Sequence, residues 1–74
     1  MRTGRVARVM GVVVDAQFAV GDLPGISDAL LIRRSGENDL ILEVQEHVDP
    51  ETVRRIAMSS TSGLNRGMRV VDTG

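Results

Sequence analysis

At 74 residues, with no cysteine, one histidine and a net charge of −1, the chain is a single small domain with no disulfide, no thiolate metal site and no electrostatic case for nucleic acid. A chain of this size buries only about 60% of the surface its unfolded form exposes, so it is a marginal domain or one that leans on neighbours. All nine basic residues are arginine, which removes the lysine that a G-x-x-x-x-G-K-[ST] phosphate loop requires, and no apolar run approaches a membrane span.

Strand-like sequence begins almost at once, without the apolar core of a secretory signal. Gly4 to Met10 is apolar and β-prone, but Arg5 and Arg8 are three apart and fall on opposite faces of a regular strand. The spacing predicts a frayed end or a bulge. Gly11 follows at a bend. Val12 to Phe18 alternates cleanly: Val12, Val14, Ala16 and Phe18 are expected inward, and Val13, Asp15 and Gln17 outward. Ala19 to Ser27 carries the turn pairs Gly21-Asp22 and Pro24-Gly25, and reads as a surface loop tacked down by Leu23 and Ile26.

Asp28 to Arg34 is a short apolar run, Ser35 to Asp39 a hairpin-type connection, and Leu40 to His47 a further strand. Leu40, Leu42 and Val44 line one face; Ile41, Glu43, Gln45 and His47 line the other. From Val48 to Ala57 the local signals conflict. Asp49 suits a helix N-cap, Pro50 the first helical position, and Val53, Ile56 and Ala57 keep helical spacing. The alternative is a tight turn at Asp49-Pro50-Glu51 and a strand from Thr52 to Met58, with Arg54, Ile56 and Met58 on one face and Val53, Arg55 and Ala57 on the other. Local signals favour the helix. A polar loop punctuated by glycine and a last strand ending at Asp72-Thr73-Gly74 complete the chain. Short runs joined by turns at this spacing suggest a small all-β barrel.

Few residues carry chemistry. Asp72-Thr73-Gly74 is the aspartic protease tripeptide, where paired aspartates share a proton and activate water. The bland reading is a turn at the end of a domain. His47 reads as a solvated or hydrogen-bonded surface residue, and one histidine builds no metal site. Glu43 and Glu46, three apart on one expected strand, face opposite sides and form no acid/base pair. Ser59 to Ser62 lacks the glycine spacing and basic residue of a phosphate loop. A single-strand nucleic-acid site needs stacking aromatics and a basic groove, and the chain has one aromatic, Phe18, on the expected inner face. Arg33-Arg34 and Arg54-Arg55 are doublets that put one guanidinium on each sheet face. All four are candidate interface residues, since arginine forks suit a neighbour's carboxylates; surface solubility is the bland reading and the favoured one for each.

The chain resembles, along its whole length, the N-terminal β-barrel domain of the β subunit of F-type ATP synthase. Gly4-Arg5-Val6, Gly11 and Val13-Val14-Asp15 resemble the opening strand pair. Gly21-Asp22-Leu23-Pro24, Ile26 and Ala29-Leu30 resemble the following loop and third strand, and Leu42 to His47 the fourth. Thr52-Val53-Arg54, Ile56-Ala57-Met58, Thr61, Gly63-Leu64, Arg66-Gly67, Val70 and Asp72-Thr73-Gly74 resemble the close of the domain. The chain departs from the family at Val12, at Ser27-Asp28, at Ser59 and Ser62 where acidic residues are usual, and at Asn65.

The resemblance implies a small closed six-stranded barrel of Greek-key type, with Asp49-Pro50 as a turn into the fifth strand. It implies a non-catalytic collar domain whose partners are the α subunits of a hexameric ring, with weak self-association when isolated. ATP, ADP and magnesium belong to the parent subunit and are implied for a following domain beyond the equivalent of Gly74. The expected location is the cytoplasmic face of a bacterial plasma membrane, in a peripheral complex with no direct membrane insertion, with the mitochondrial matrix or chloroplast stroma as the less favoured alternatives. Two alternatives stand beside this: a barrel from a related rotary or export ATPase, and an aspartic protease-like half.

Overall fold

The computed structural model describes residues 2–36, 38–57 and 61–74. They form seven strands: β1 (Arg2–Met10), β2 (Val13–Gln17), β3 (Ala29–Ile32), β4 (Leu40–Glu43), β5 (Glu46–Asp49), β6 (Thr52–Ile56) and β7 (Arg69–Asp72). All pair antiparallel in one sheet of order β4-β3-β7-β1-β2-β6-β5. Three of the pairings, β3 with β7, β7 with β1 and β2 with β6, join strands distant in sequence.

The first hairpin explains the awkward spacing of Arg5 and Arg8. Its register shifts between Val6 and Arg8, which leaves Ala7 as the extra residue of a bulge. Arg5 then stands opposite Gln17 and Arg8 opposite Asp15, so both arginines share the outer face. Val6 and Val9 keep the inner face, opposite Ala16 and Val14. Gly11 and Val12 form the two-residue turn, and Gly11, at φ 59°, supplies the positive φ such a turn needs. Val12 is therefore 54% exposed rather than inward, because the strand begins one residue later than its alternation suggests.

One expected strand is two. Leu40 to His47 breaks at Val44-Gln45 into β4, which pairs with β3, and β5, which pairs with β6. The sheet thus has seven strands where six were expected, and its ladder ends at β4 and β5. Alternation slips at the break. Val44 is buried, Gln45 is exposed and its Oε1 accepts a hydrogen bond from the Ile56 amide at 3.1 Å, and Glu46 stands opposite Arg54. Glu43 and Glu46 consequently both lie on the outer surface, not on opposite sides.

Between β5 and β6 the strand alternative holds over the helical one. The Asp49 carboxylate accepts a hydrogen bond from the Glu51 amide at 2.8 Å, capping a turn and not a helix. The Val48–Ala57 segment takes its backbone partners from β2 and β5 across the sheet, and that non-local pairing overrides a local helix signal. No helix occurs among the described residues.

The core is the inner face: Val6, Val14, Ala16, Leu30, Ile32, Leu40, Leu42, Val53 and Val70, closed by Phe18, Val44, Ala57 and Leu64. Gly4 is the one inner position of β1 without a side chain. A Cβ there would collide with the Gln17 carbonyl oxygen and reach the Phe18 ring at 2.9 Å, so glycine makes room for the chain's one aromatic. The loop after Phe18 is anchored by Leu23, as expected, and by buried Pro24. Ile26 is 55% exposed. The turn from Gly25 to Asp28, held by the Gly25 amide on the Asp28 carboxylate at 2.8 Å and the Ser27 amide on the Val44 carbonyl at 2.8 Å, turns it outward.

Candidate subunit interface

With the core facing inward, any recognition surface lies on the outer face, where the register aligns side chains in transverse rows. One row is charged: Arg8 on β1, Asp15 on β2, Arg54 on β6 and Glu46 on β5 stand opposite one another in turn. Asp15 is only 5% exposed despite its outward position, because Arg54 lies over it. Arg54 Nε donates to Asp15 Oδ1 at 2.8 Å and Nη2 donates to Oδ2 at 3.0 Å, a two-pronged pairing that only a guanidinium makes. Nη1 lies 3.8 Å from Glu46 Oε1. The hydrogen bond to Asp15 and then its charge raise the Arg54 pKa above its ordinary value, with Glu46 adding less. Arg8 donates to the Met10 sulfur at 2.9 Å.

The four arginines singled out by sequence part company. Arg54 is engaged within the sheet. Arg34 binds the chain's own loops: its Nε donates to the Asn38 carbonyl at 2.9 Å and its Nη1 to the Ser62 carbonyl at 3.0 Å. Arg55, half-buried opposite Val14, lies on the inward side of β6. Arg33 is exposed just beyond β3 and makes no hydrogen bond or ion pair among the described residues. It lines a groove with Thr3, Leu31, Met68, Arg69 and Val71.

That groove follows a second row, in which Thr3 of β1, Val71 of β7, Leu31 of β3 and Ile41 of β4 stand opposite one another. Leu31 and Val71 are half-buried and Ile41 is 60% exposed. Beside the row, Arg5 and Arg69 face each other across the β1–β7 ladder. Two like charges directly opposed cost stability unless a carboxylate joins them. Arg69, Leu31 and Val71 were not singled out in the sequence, where an arginine among apolar residues looks like ordinary alternation.

The remaining candidates have local roles. His47 is exposed, and its Nε2 donates to the Pro24 carbonyl at 2.8 Å, fixing that nitrogen as the protonated one and tying β5 to the 19–27 loop. In the closing tripeptide, Asp72 is buried and accepts from the Gly74 amide at 2.9 Å, while the Thr73 amide and hydroxyl both donate to the Ala29 carbonyl at 2.9 Å. These bonds tie down a strand end, and no second aspartate faces Asp72 across the β3–β7 or β1–β7 ladder. Ser59 lies outside the described residues; Ser62 is exposed. Among the described residues no three histidine, aspartate or glutamate side chains gather into a metal-ion set.

A family model described as the ATP synthase alpha/beta family, beta-barrel domain, matches residues 6–74. The match spans all seven strands except the start of β1, and its description agrees with an all-antiparallel sheet wrapped around one aliphatic core. The chain belongs to the ATP synthase alpha/beta family, of which it is a β-barrel domain.

Proposed function

We propose that this domain is the assembly collar of the catalytic β subunit of a proton-translocating F-type ATP synthase, packing against α-subunit barrels in the hexameric head. The observation that carries the reading is the family match over residues 6–74. The choice of β over α rests on the residues that resemble the β subunit, Gly21 to Pro24 and Leu42 to His47 among them. The outer surface supports a packing role. It presents half-buried Leu31 and Val71, exposed Ile41, and Arg33 and Arg69, which have no ion-pair partner among the described residues, the mixture of apolar area and arginine that protein interfaces favour.

On this reading the sheet closes. β4 and β5 are one strand bent at Val44-Gln45, so the continuous chain Leu40–Asp49 joins the two ends of the ladder, and six strands remain. Hydrogen bonds from the Val44 amide to the Asp28 carbonyl at 2.9 Å and from the Gln45 amide to the Arg54 carbonyl at 3.1 Å support it. A closed barrel hides its strand edges and makes a rigid collar.

The chain's own residues do not fit a nucleotide. It has no lysine, and its positive-φ glycines sit at separate turns, not in one phosphate-cradling loop. ATP and magnesium belong, on this reading, to the parent subunit's nucleotide domain, and the collar works at the cytoplasmic face of a bacterial plasma membrane. The test is titration of the chain with the α-subunit barrel domain. A mixed complex is expected; independent behaviour at all concentrations would overturn the proposal. Calorimetric titration with magnesium-ATP is expected to show no micromolar binding.

A further inference from the structure

Charge is segregated on the outer face. The strands β7 and β1 expose Arg69 and Arg5, Arg33 is exposed just beyond β3, and the single carboxylate of these three strands, Asp72, is buried. The edge strands β4 and β5 contain no arginine and expose Glu43, Glu46 and Asp49. Each sector also carries apolar surface, half-buried Leu31 and Val71 in the first and exposed Ile41 and Val48 in the second. From this complementarity, and resting on the reading of β4 and β5 as one bent strand, we propose that the chain associates head to tail with a second copy of itself, the β3–β7–β1 face of one docking on the outer surface of β4 and β5 of the other.

Two features favour this occupant. Arg5 and Arg69 are directly opposed across the ladder; Arg5 Nη1 donates to the Gly67 carbonyl at 3.4 Å, but no carboxylate among the described residues pairs with either guanidinium, and one from a neighbour would relieve the repulsion. The acids that would supply it, Glu43 above all, have no ion-pair partner among the described residues except Glu46, whose contact with Arg54 is a long 3.8 Å. Pairing unlike faces makes the contact heterologous. One face therefore stays free at each end of the assembly, and growth continues until a ring closes. The inference is read from this chain's own charges and does not need the α subunit of the collar reading.

The test is sedimentation velocity on the 74-residue chain and two variants, R33E/R69E and E43R/E46Q, with circular dichroism to confirm folding. The native chain is expected to form a concentration-dependent series of oligomers, weakened at least tenfold between about 50 mM and about 500 mM salt. Each variant alone then presents two faces of like sign and stays monomeric, while an equal mixture associates through the one complementary pair of native faces. A native chain that remains monomeric to millimolar concentration overturns the proposal. So do variants that each associate like the native chain, or a mixture as monomeric as its parts. Should either variant fail to fold, R33Q/R69Q and E43Q/E46Q replace them; each is expected to weaken association at least fivefold, and undiminished association in either overturns the proposal. Loss of α-subunit binding with self-association intact would contradict the collar reading alone.

Discussion

Asp15 and Arg54 stand opposite each other in the β2–β6 ladder, and their side chains meet through two hydrogen bonds, of 2.8 and 3.0 Å. The pair is separated by 39 residues of sequence, and the guanidinium covers the carboxylate so that Asp15 is only 5% exposed, a shielding that an apolar side chain at position 54 would keep without the hydrogen bonds. Removing either partner should therefore lower the melting temperature, and Arg54→Leu more than Asp15→Asn, because the first leaves a poorly hydrated charge and the second leaves only an exposed guanidinium. The double variant is expected to melt no lower than Arg54→Leu alone, the signature of a coupled pair.

The pH behaviour of the same pair follows from the arginine. Its pKa is raised in the folded state, so the stability it contributes is fully present below the unfolded value and is lost only as pH rises through the folded value, in strongly alkaline solution. The drop in melting temperature caused by Arg54→Leu should consequently be the same at about pH 6 and about pH 9. A drop that halves across that interval would remove the arginine as its source.

Ile32 has no exposed surface and is the largest fully buried side chain. Truncation to alanine should cost about 2–5 kcal/mol, and Ile32→Val about 0.5–1.5 kcal/mol. A small domain of this kind has roughly 4–11 kcal/mol in total. Urea titration should therefore find the alanine variant close to unfolded without denaturant and the valine variant folded.

Gly4→Ala should destabilise by about 1–3 kcal/mol through overpacking. Phe18→Leu in the same chain should recover only part of it. The phenyl ring can be cut back, but the Gln17 carbonyl, which the new Cβ would also strike, is backbone held in the sheet. Full recovery in denaturant titrations would show that the ring alone dictates the glycine.

Much of the fold is legible in the sequence because it is local. Alternation places Val14, Ala16 and Phe18 inward and groups Leu40, Leu42 and Val44 on one face, and the three-residue spacing of Arg5 and Arg8 predicts a frayed end or a bulge, which the structure has at Ala7. What escapes is what depends on distant strands. Asp49-Pro50 carries every local mark of a helix start, and only the ladders to β2 and β5 make it a turn. Nothing in the sequence pairs Asp15 with Arg54, so Arg54 looks as available to a neighbour as Arg33 does. The break at Val44-Gln45 has no glycine or proline to announce it, which is why Glu43 and Glu46 look opposed and yet both lie on the outer surface. The candidate interface was half legible: Arg33 was visible as part of a doublet, whereas Arg69 gains meaning only from its place opposite Arg5 and beside Leu31.

On the proposed collar reading, this domain packs against barrels of its own family. Sedimentation velocity of the chain mixed with the α-subunit barrel domain tests it most directly. A species heavier than either component is expected, weakened when Arg33 and Arg69 are both replaced by glutamate. Two boundaries that sediment independently at every concentration, with both domains folded, would contradict it.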